Sequence, residues 1–300
     1  GSGLSVVGGL TPGAIGAGVV QINLLVDIVI ASLLPTGAIS FLYYADRVNQ
    51  LPLGVVGVAI GTALLPLLSR QLRSGQDSEA NNSMNRAIEI ALLFTIPGTA
   101  ALLVIAHPIV SVLFERGAFT AATSLATAQA LMAYAIGLPA YVLVKVLAPG
   151  FFARQDTATP VKIAIVCVTI NVVLNLTLIQ FLAHVGIALA TAISAWINAL
   201  LLAYFLHRRG QFQTDVRLRQ RITRILIAAL GMATILWGAL SLLESVYADG
   251  QTGRIAVLAV LVLGGMALYF ALALLFRAAA LGDIKSLLAR KKADDTASSA

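Results

Sequence analysis

The sequence has 300 residues, of which 59% are hydrophobic and only 11% are charged, and its mean hydropathy is +0.93. Soluble domains contain about 45–50% apolar and about 25% charged residues, so this composition excludes an ordinary soluble domain. The formal net charge of +7 does not indicate nucleic-acid binding, because topology explains where the basic residues lie. The single cysteine, Cys167, excludes an intramolecular disulfide. We therefore expect an all-α polytopic membrane protein.

A helix needs about 20 apolar residues to cross the hydrocarbon core of a bilayer. Eight stretches meet this requirement, and we expect each to be a transmembrane helix: approximately 12–34, 38–68, 86–106, 124–150, 160–182, 186–206, 222–243 and 254–276. The second and fourth stretches contain internal prolines, which predict kinks near Pro52, Pro66 and Pro139.

The basic residues alternate between the connections. One side receives 16 of the 20 Lys and Arg residues: Arg70, Arg73, Arg86, Arg154, Lys162, Arg208, Arg209, Arg217, Arg219, Arg221, Arg224, Arg277, Lys285, Arg290, Lys291 and Lys292. The other side receives Arg116 and Arg254, and the last two basic residues, Arg47 and Lys145, lie inside spans. The positive-inside rule predicts that the basic side, with both ends of the chain, is cytoplasmic.

The same pattern divides the chain into segments. Residues 1–11 begin Gly-Ser-Gly and are interpreted as a terminal scar or fragment end. Residues 12–206 carry six spans, 207–221 form a basic cytoplasmic linker, 222–280 carry two further spans, and 281–300 form a basic and polar cytoplasmic tail. The arginines of the linker have two interpretations, a topology anchor or a contact with the anionic inner leaflet.

Arg47 is the most informative residue, because it lies inside an apolar stretch. A guanidinium at membrane depth costs at least about 2.5–3.5 kcal/mol, so it normally faces a wet cavity or a partner. With the adjacent Asp46, it has two interpretations. The pair is either structural, or Arg47 faces a central cavity and binds a phosphate group of an anionic substrate through its two-pronged fork. Lys145 could extend to the cytoplasmic interface or contact the substrate.

Other polar residues inside the spans lie at helical spacing. Asn23 and Asp27 are four residues apart, as are Asn171 and Asn175, whereas Thr191, Ser194 and Asn198 form one stripe. Such stripes often only join helices, and this interpretation stays open for Ser194 and Asn198. Asp27 is ionisable, and with Asn171, Asn175 and Thr191 it could form an all-oxygen cage for a monovalent cation such as Na⁺.

Two long motifs resemble a known family. Residues 43–47 (YYADR), followed by 51–62 (LPLGVVGVAIGT), resemble the eighth helix of the MurJ (MviN) lipid II flippases. Residues 145–156 (KVLAPGFFARQD), continuing through Thr159-Pro160-Val161-Lys162, resemble a second motif of the same family. The order and separation of both motifs also fit, and the resemblance covers about residues 12–280.

The resemblance implies more than composition does. The family belongs to the multidrug/oligosaccharidyl-lipid/polysaccharide exporter superfamily, with two six-helix lobes around a central cavity and two extra helices that form a groove for the lipid tail. The chain would then contain the second lobe and the two extra helices, and its partners would be lipid II, membrane lipids and the N-terminal lobe of the same protein.

The resemblance also implies site residues. Arg47 corresponds to a cavity arginine expected to meet the pyrophosphate of lipid II. Asp27, Asn171, Asn175, Ile187 (through its carbonyl) and Thr191 correspond to a sodium site, so Na⁺ is the one expected cofactor.

The resulting hypothesis is a bacterial inner-membrane transporter, not an enzyme, that moves lipid II across the membrane by alternating access. A cation or the membrane potential would drive it. The alternatives are an exporter of another polyprenyl-linked oligosaccharide, a drug exporter, a membrane-embedded glycan enzyme, or a non-transporting scaffold. The enzyme is disfavoured because the outer connections contain few acidic or histidine residues.

Overall fold

The computed structural model describes residues 29–32, 34, 37–248 and 250–278. Its elements are the helices α1 (Ala38–Arg73), α2 (Asp77–Phe114), α3 (Ala121–Phe152), α4 (Ala158–Arg208), α5 (Val216–Leu242), α6 (Glu244–Ala248) and α7 (Gly250–Leu275). Five of them, α2, α3, α4, α5 and α7, are long and apolar enough to cross a membrane. The expectation of an all-α polytopic membrane protein is therefore confirmed.

The 51-residue helix α4 is two helices joined by a sharp break. Ala183 has φ 48° and ψ −130°, so it leaves the helical region between the predicted spans 160–182 and 186–206. Seven of the eight predicted spans thus correspond to described helices. Of the first predicted span, only residues 29–32 and 34 are described. Asp27, the N-terminal residues 1–11 and the tail 281–300 lie outside the described residues.

The prolines at which kinks were predicted lie inside described helices, and the kinks themselves stay a prediction. Both α1 and α3 continue as single helices through Pro52, Pro66 and Pro139. The non-helical residue of α2 is Ile105 (φ −111°, ψ 19°), three residues before Pro108. Proline at a helix interior removes a backbone donor and clashes with the preceding turn, which accounts for a break at this place.

α3 is the central helix, since it packs on α1, α2 and α4. Its long buried face includes Leu131, Leu138 and Phe151, none of which is exposed. Gly137 allows the closest approach: a Cβ there would lie 2.9 Å from the Ala192 Cα in the second part of α4. We refer to the helices α1–α4 together as the lobe.

The connection between α4 and α5 is shorter than the predicted linker 207–221. α4 ends at Arg208 and α5 begins at Val216, where the Asp215 side chain caps the helix by accepting from the Leu218 N–H at 2.6 Å. Residues 216–221 are therefore helical. We call the end of the bundle that holds residues 74–76, 153–157 and 209–215 the basic end, and the end that holds 115–120, 183–185 and 243–247 the opposite end.

Several arginines of this region point into the protein. The Glu89 side chain on α2 is 4% exposed, and it pairs with Arg86, with Arg221 at 3.1 Å and with Arg217 at 3.4 Å. Arg86 also pairs with Asp215. Since a buried carboxylate needs charged partners, Arg217 and Arg221 serve to hold α5 on α2.

A second set of contacts joins the same helices at the opposite end. Glu115 and Arg254 form an ion pair at 2.8 Å, the Arg254 guanidinium lies over the Tyr247 ring at 5.5 Å, and Tyr247 is hydrogen-bonded to Ser111. Burial raises the pKa of Glu115, but the hydrogen bond from Arg254 and the charge of Arg254 outweigh it, so the net pKa is below its usual value. The hairpin of α5, α6 and α7 is thus attached to α2 at both ends.

Candidate substrate and cation sites

Arg47 lies on an exposed face of α1. Its guanidinium stacks over the Tyr43 ring, with 4.9 Å between the guanidinium carbon and the ring centroid, and Tyr43 and Leu51 on the same face are 54% and 66% exposed. Among the described residues, no carboxylate forms an ion pair with Arg47. A guanidinium placed over an aromatic ring keeps N–H groups available for an anion.

Asp46 is arranged differently, although it is the next residue. Its side chain is partly buried and accepts a hydrogen bond from Gln50, one turn further along α1. The Asp46 side chain is thus held within its own helix, and both interpretations of the Asp46–Arg47 pair stay predictions. Asp46 is placed to orient this turn rather than to contact an anionic substrate.

A cavity of about 370 Å³ lies between α1, α3 and the two parts of α4. It brings together one lysine, two amides and three hydroxyl side chains from separate parts of the chain. Its lining residues are Leu53, Tyr141, Val144, Lys145, Ala164, Cys167, Val168, Asn171, Thr191, Ser194, Ala195 and Asn198. The Lys145 side chain lies against Gly57, where a Cβ would be 3.0 Å from its Nζ. Three predicted residues, Lys145, Asn171 and Thr191, thus share one cavity, whereas Arg47 is not among its lining residues.

The predicted cation ligands of α4 form a chain of hydrogen bonds across its two parts. Asn175 donates to the Asn171 Oδ1 at 3.0 Å, Asn171 donates to the Thr191 Oγ1 at 3.4 Å, and Thr191 donates to the Ile187 carbonyl at 3.0 Å. Asn171, Asn175 and Ile187 are at most 1% exposed. The structure therefore brings all four of these residues together.

Neutral amide, hydroxyl and carbonyl oxygens are ligands that suit a hard cation, so the donor set of α4 fits Na⁺ in chemical type. The fifth predicted ligand, Asp27, which would supply the negative charge, lies outside the described residues. In the described part of the chain, no group of three or more His, Cys, Asp or Glu residues could hold a metal ion.

Two apolar grooves flank α5. One has a volume of about 390 Å³, lies between α1, α2, α5 and α7, and includes Pro52, Pro97, Met232 and Tyr269. The other has a volume of about 550 Å³, and α5, α2, α3 and Trp196 line it. That the last two spans form a groove for the lipid tail stays a prediction.

The sequence did not single out Tyr141, which lines the cavity, or Glu89, which joins α2 to α5. A weak signal for Glu89 existed, because a carboxylate three residues after Arg86 in an apolar stretch requires a partner. Ser194, which was left open, donates to the Cys167 carbonyl at 2.7 Å and so joins the two parts of α4.

The family model described as lipid II flippase MurJ matches residues 4–258 of this chain. The chain belongs to the MurJ family. A protein of Rhizobium meliloti (strain 1021), described as "Probable lipid II flippase MurJ", is 46% identical over 281 residues, which cover 93% of this chain and 52% of the relative. The chain thus spans about half the length of the curated relatives it matches. It is a multi-pass membrane protein. The members of its family are named as flippases, which are transporters.

Solved structures agree with this fold. A structure described as "Lipid II flippase MurJ, inward closed conformation" has a TM-score of 0.71 at 28% identity and covers 86% of this chain and 51% of that one. An outward-facing multidrug resistance MATE family transporter of the MOP superfamily has a TM-score of 0.59 at 19% identity, over 86% of this chain and 61% of that one. The second likeness concerns the fold alone.

Proposed function

We propose that this chain forms the second lobe and the groove hairpin of a flippase that moves lipid II across the bacterial inner membrane, with the basic end in the cytoplasm. One observation carries the proposal: in a chain of the MurJ family, Arg47 lies on an exposed face of the 36-residue helix α1, with no carboxylate partner among the described residues. Such an arginine fits the pyrophosphate of an anionic lipid-linked precursor.

The proposed mechanism follows from the exposed position of Arg47 and from the position of Lys145 in the neighbouring cavity. Arg47 donates two parallel N–H bonds to the diphosphate, and Tyr43 holds the guanidinium plane so that little side-chain entropy is lost on binding. Lys145 supplies a second positive charge in the neighbouring cavity, where hydroxyl and amide groups can hydrogen-bond a sugar or peptide. Alternating access would then expose the same groups first to the cytoplasm and then to the periplasm.

A cation supplies an energetic bias to this cycle when it is bound. The four residues of α4, together with Asp27, would hold Na⁺ between the two parts of that helix, which is where the Ala183 break allows relative movement. Each charge that crosses 100 mV contributes about 2.3 kcal/mol.

The test uses a chimera, because the curated relatives are about twice as long as this chain. The matching segment of the Rhizobium meliloti protein is replaced by this chain, and the chimera is expressed in cells depleted of their own flippase. Lipid II translocation and growth are measured for the unmodified chimera, Arg47→Ala, Arg47→Lys and the control Arg70→Ala, which changes an exposed arginine at the basic end of the same helix.

We expect the unmodified chimera and Arg70→Ala to restore growth. Arg47→Ala should lower translocation by about 10-fold to 100-fold, because a charge-assisted hydrogen bond contributes about 1.5–3 kcal/mol. Arg47→Lys should be intermediate, since it keeps the charge and loses the fork. Full activity of Arg47→Lys would contradict the bidentate contact, and failure of a well-expressed unmodified chimera would favour another exporter substrate or a scaffold.

A further inference from the structure

A tyrosine of the hairpin is hydrogen-bonded to the backbone of the lobe. The Tyr269 hydroxyl on α7 donates to the carbonyl oxygen of Leu93 on α2 at 2.7 Å, and both residues are buried, with exposures of 3% and 8%. Backbone carbonyls within a helix normally accept from the N–H four residues later, so a side chain that occupies one requires an explanation.

Pro97 provides the explanation. It lies inside α2 four residues after Leu93 and has no N–H to donate to the Leu93 carbonyl. A buried carbonyl without a donor is costly, more so in a membrane, where no water can replace the bond. The Tyr269 hydroxyl takes the place of the donor that proline removes.

The lobe contains a second case of the same compensation. Pro139 in α3 removes the donor to the Ala135 carbonyl, and the Thr99 hydroxyl on α2 donates to that oxygen at 2.9 Å. There, however, both partners belong to the lobe. At Pro97 the compensating group comes from the hairpin, so a backbone carbonyl of a lobe helix depends on a donor from outside the lobe.

The position of Tyr269 gives this bond a consequence for the site. Tyr269, Pro97 and Phe94 line the groove between the hairpin and the lobe, and Pro52 of α1 lines the same groove. Pro52 lies five residues after Arg47 on α1. A change in the bend of α2 therefore moves a wall that is shared with the helix carrying Arg47.

We propose that Tyr269 is a positioning residue: its hydroxyl replaces the backbone donor missing at Pro97, and it thereby sets the bend of α2 beside the Arg47 helix. The role in transport rests on the proposed function, whereas the effect on the bend of α2 does not.

The first experiment is a set of four variants of this chain in detergent: wild type, Tyr269→Phe, Pro97→Ala and the double variant. Tyr269→Phe should lower Tm by about 2–8 °C, because it leaves a buried carbonyl without a donor. In the Pro97→Ala background, residue 97 has an N–H that bonds the Leu93 carbonyl, so Tyr269→Phe should lower Tm by less than a third as much. An equal decrease in both backgrounds would mean that the hydroxyl stabilises the fold independently of the donor missing at Pro97, and it would overturn the proposal.

The second experiment measures the bend itself. Spin labels at Glu79→Cys and Leu113→Cys, both exposed and near the two ends of α2, report its end-to-end distance in a Cys167→Ser background. We expect a narrow distribution of label-to-label distances in wild type and a shifted or broadened distribution in Tyr269→Phe. In the double variant Pro97→Ala/Tyr269→Phe, the distance distribution should be narrow again. An unchanged distribution in Tyr269→Phe would overturn the proposal.

Tyr247→Phe is the matched control, since it removes another tyrosine hydroxyl that joins the hairpin to α2, at Ser111. Its effect on Tm should be the same with and without Pro97. In the chimera, Tyr269→Phe should lower lipid II translocation several-fold, with partial recovery in the double variant. A translocation rate equal to wild type, despite a changed α2 distance, would overturn the role in transport. Inactivity of the unmodified chimera would instead contradict the proposed function alone.

Discussion

At the scale of single residues, Gly186 allows the two parts of α4 to lie close together beside the Ala183 break. A Cβ at position 186 would lie 2.6 Å from the Leu178 carbonyl oxygen, which belongs to the backbone and cannot turn away. Gly186→Ala should therefore lower the free energy of unfolding by about 1–3 kcal/mol, the usual cost of overpacking. Thermal unfolding of the purified chain in detergent measures it.

Gly264→Ala is the control for this substitution. Gly264 is exposed within α7, and a Cβ there would meet nothing within 4 Å. It should leave Tm unchanged or raise it, because alanine is the better helix former. If Gly186→Ala were equally harmless, the two parts of α4 would have to separate more easily than their packing implies.

Single residues also mark the limit of prediction from sequence. Arg47 could be identified because a charge in an apolar stretch is unusual whatever surrounds it. Tyr269 could not, because a tyrosine in an apolar helix is ordinary until the Leu93 carbonyl and Pro97 are seen beside it. The four residues of α4 at the predicted cation site share helical spacing, but only the break at Ala183 shows how its two parts face each other.

At the scale of elements, the start of α4 depends on a charged side chain. Asp156 accepts from the Thr159 N–H at 3.0 Å and pairs with Arg209 at 2.6 Å. Burial raises the pKa of Asp156, but hydrogen bonds from Thr159 and Arg209 and the charge of Arg209 lower it further, so the net pKa is below its usual value.

A lowered pKa stabilises the fold when Asp156 is ionised, so this stabilisation is present above about pH 4, the ordinary pKa of aspartate, and disappears as the pH falls through the lower folded value. Asp156→Asn should cost about 1 kcal/mol at pH 7 and progressively less as the pH falls below about 4. Unfolding curves of both proteins at several pH values measure the difference. A constant difference across this range would contradict an ionic role for Asp156.

The extent of the elements could be predicted because apolar length reports a membrane span directly. The predicted spans 160–182 and 186–206 lie on either side of the break at Ala183. Helix α7 begins at Gly250, four residues before the predicted start of the last span at residue 254. The start of α5 was placed too late, since Arg217, Arg219 and Arg221 were interpreted as a polar linker. A helix that begins outside the hydrocarbon carries charges in its first turns, and hydropathy alone cannot distinguish it from a linker.

At the scale of the whole molecule, the hairpin is attached to α2 by ion pairs at both ends. Arg254→Ala removes the pair with Glu115 and the stacking on Tyr247, so α5 and α7 should open locally at the opposite end. We expect faster backbone hydrogen exchange in residues 243–255 by about 5-fold to 30-fold, equivalent to about 1–2 kcal/mol.

Arg116→Ala is the matched control, because the neighbouring Arg116 donates only to the Leu113 carbonyl of its own helix end. It should leave exchange in the hairpin unchanged. Equal acceleration by both variants would indicate that lost positive charge, and not the Glu115–Arg254 pair, controls this end of the hairpin.

The mode of attachment also concerns how such a molecule could arise. The hairpin meets the lobe mainly along α2, through Glu89, the Leu93 carbonyl, Ser111 and Glu115. An ancestor without the hairpin could therefore gain it by changing one face of one helix, leaving the other interfaces of the lobe intact. We expect descendants of such an ancestor that never gained the hairpin to carry apolar, lipid-compatible side chains where this chain has Glu89 and Glu115.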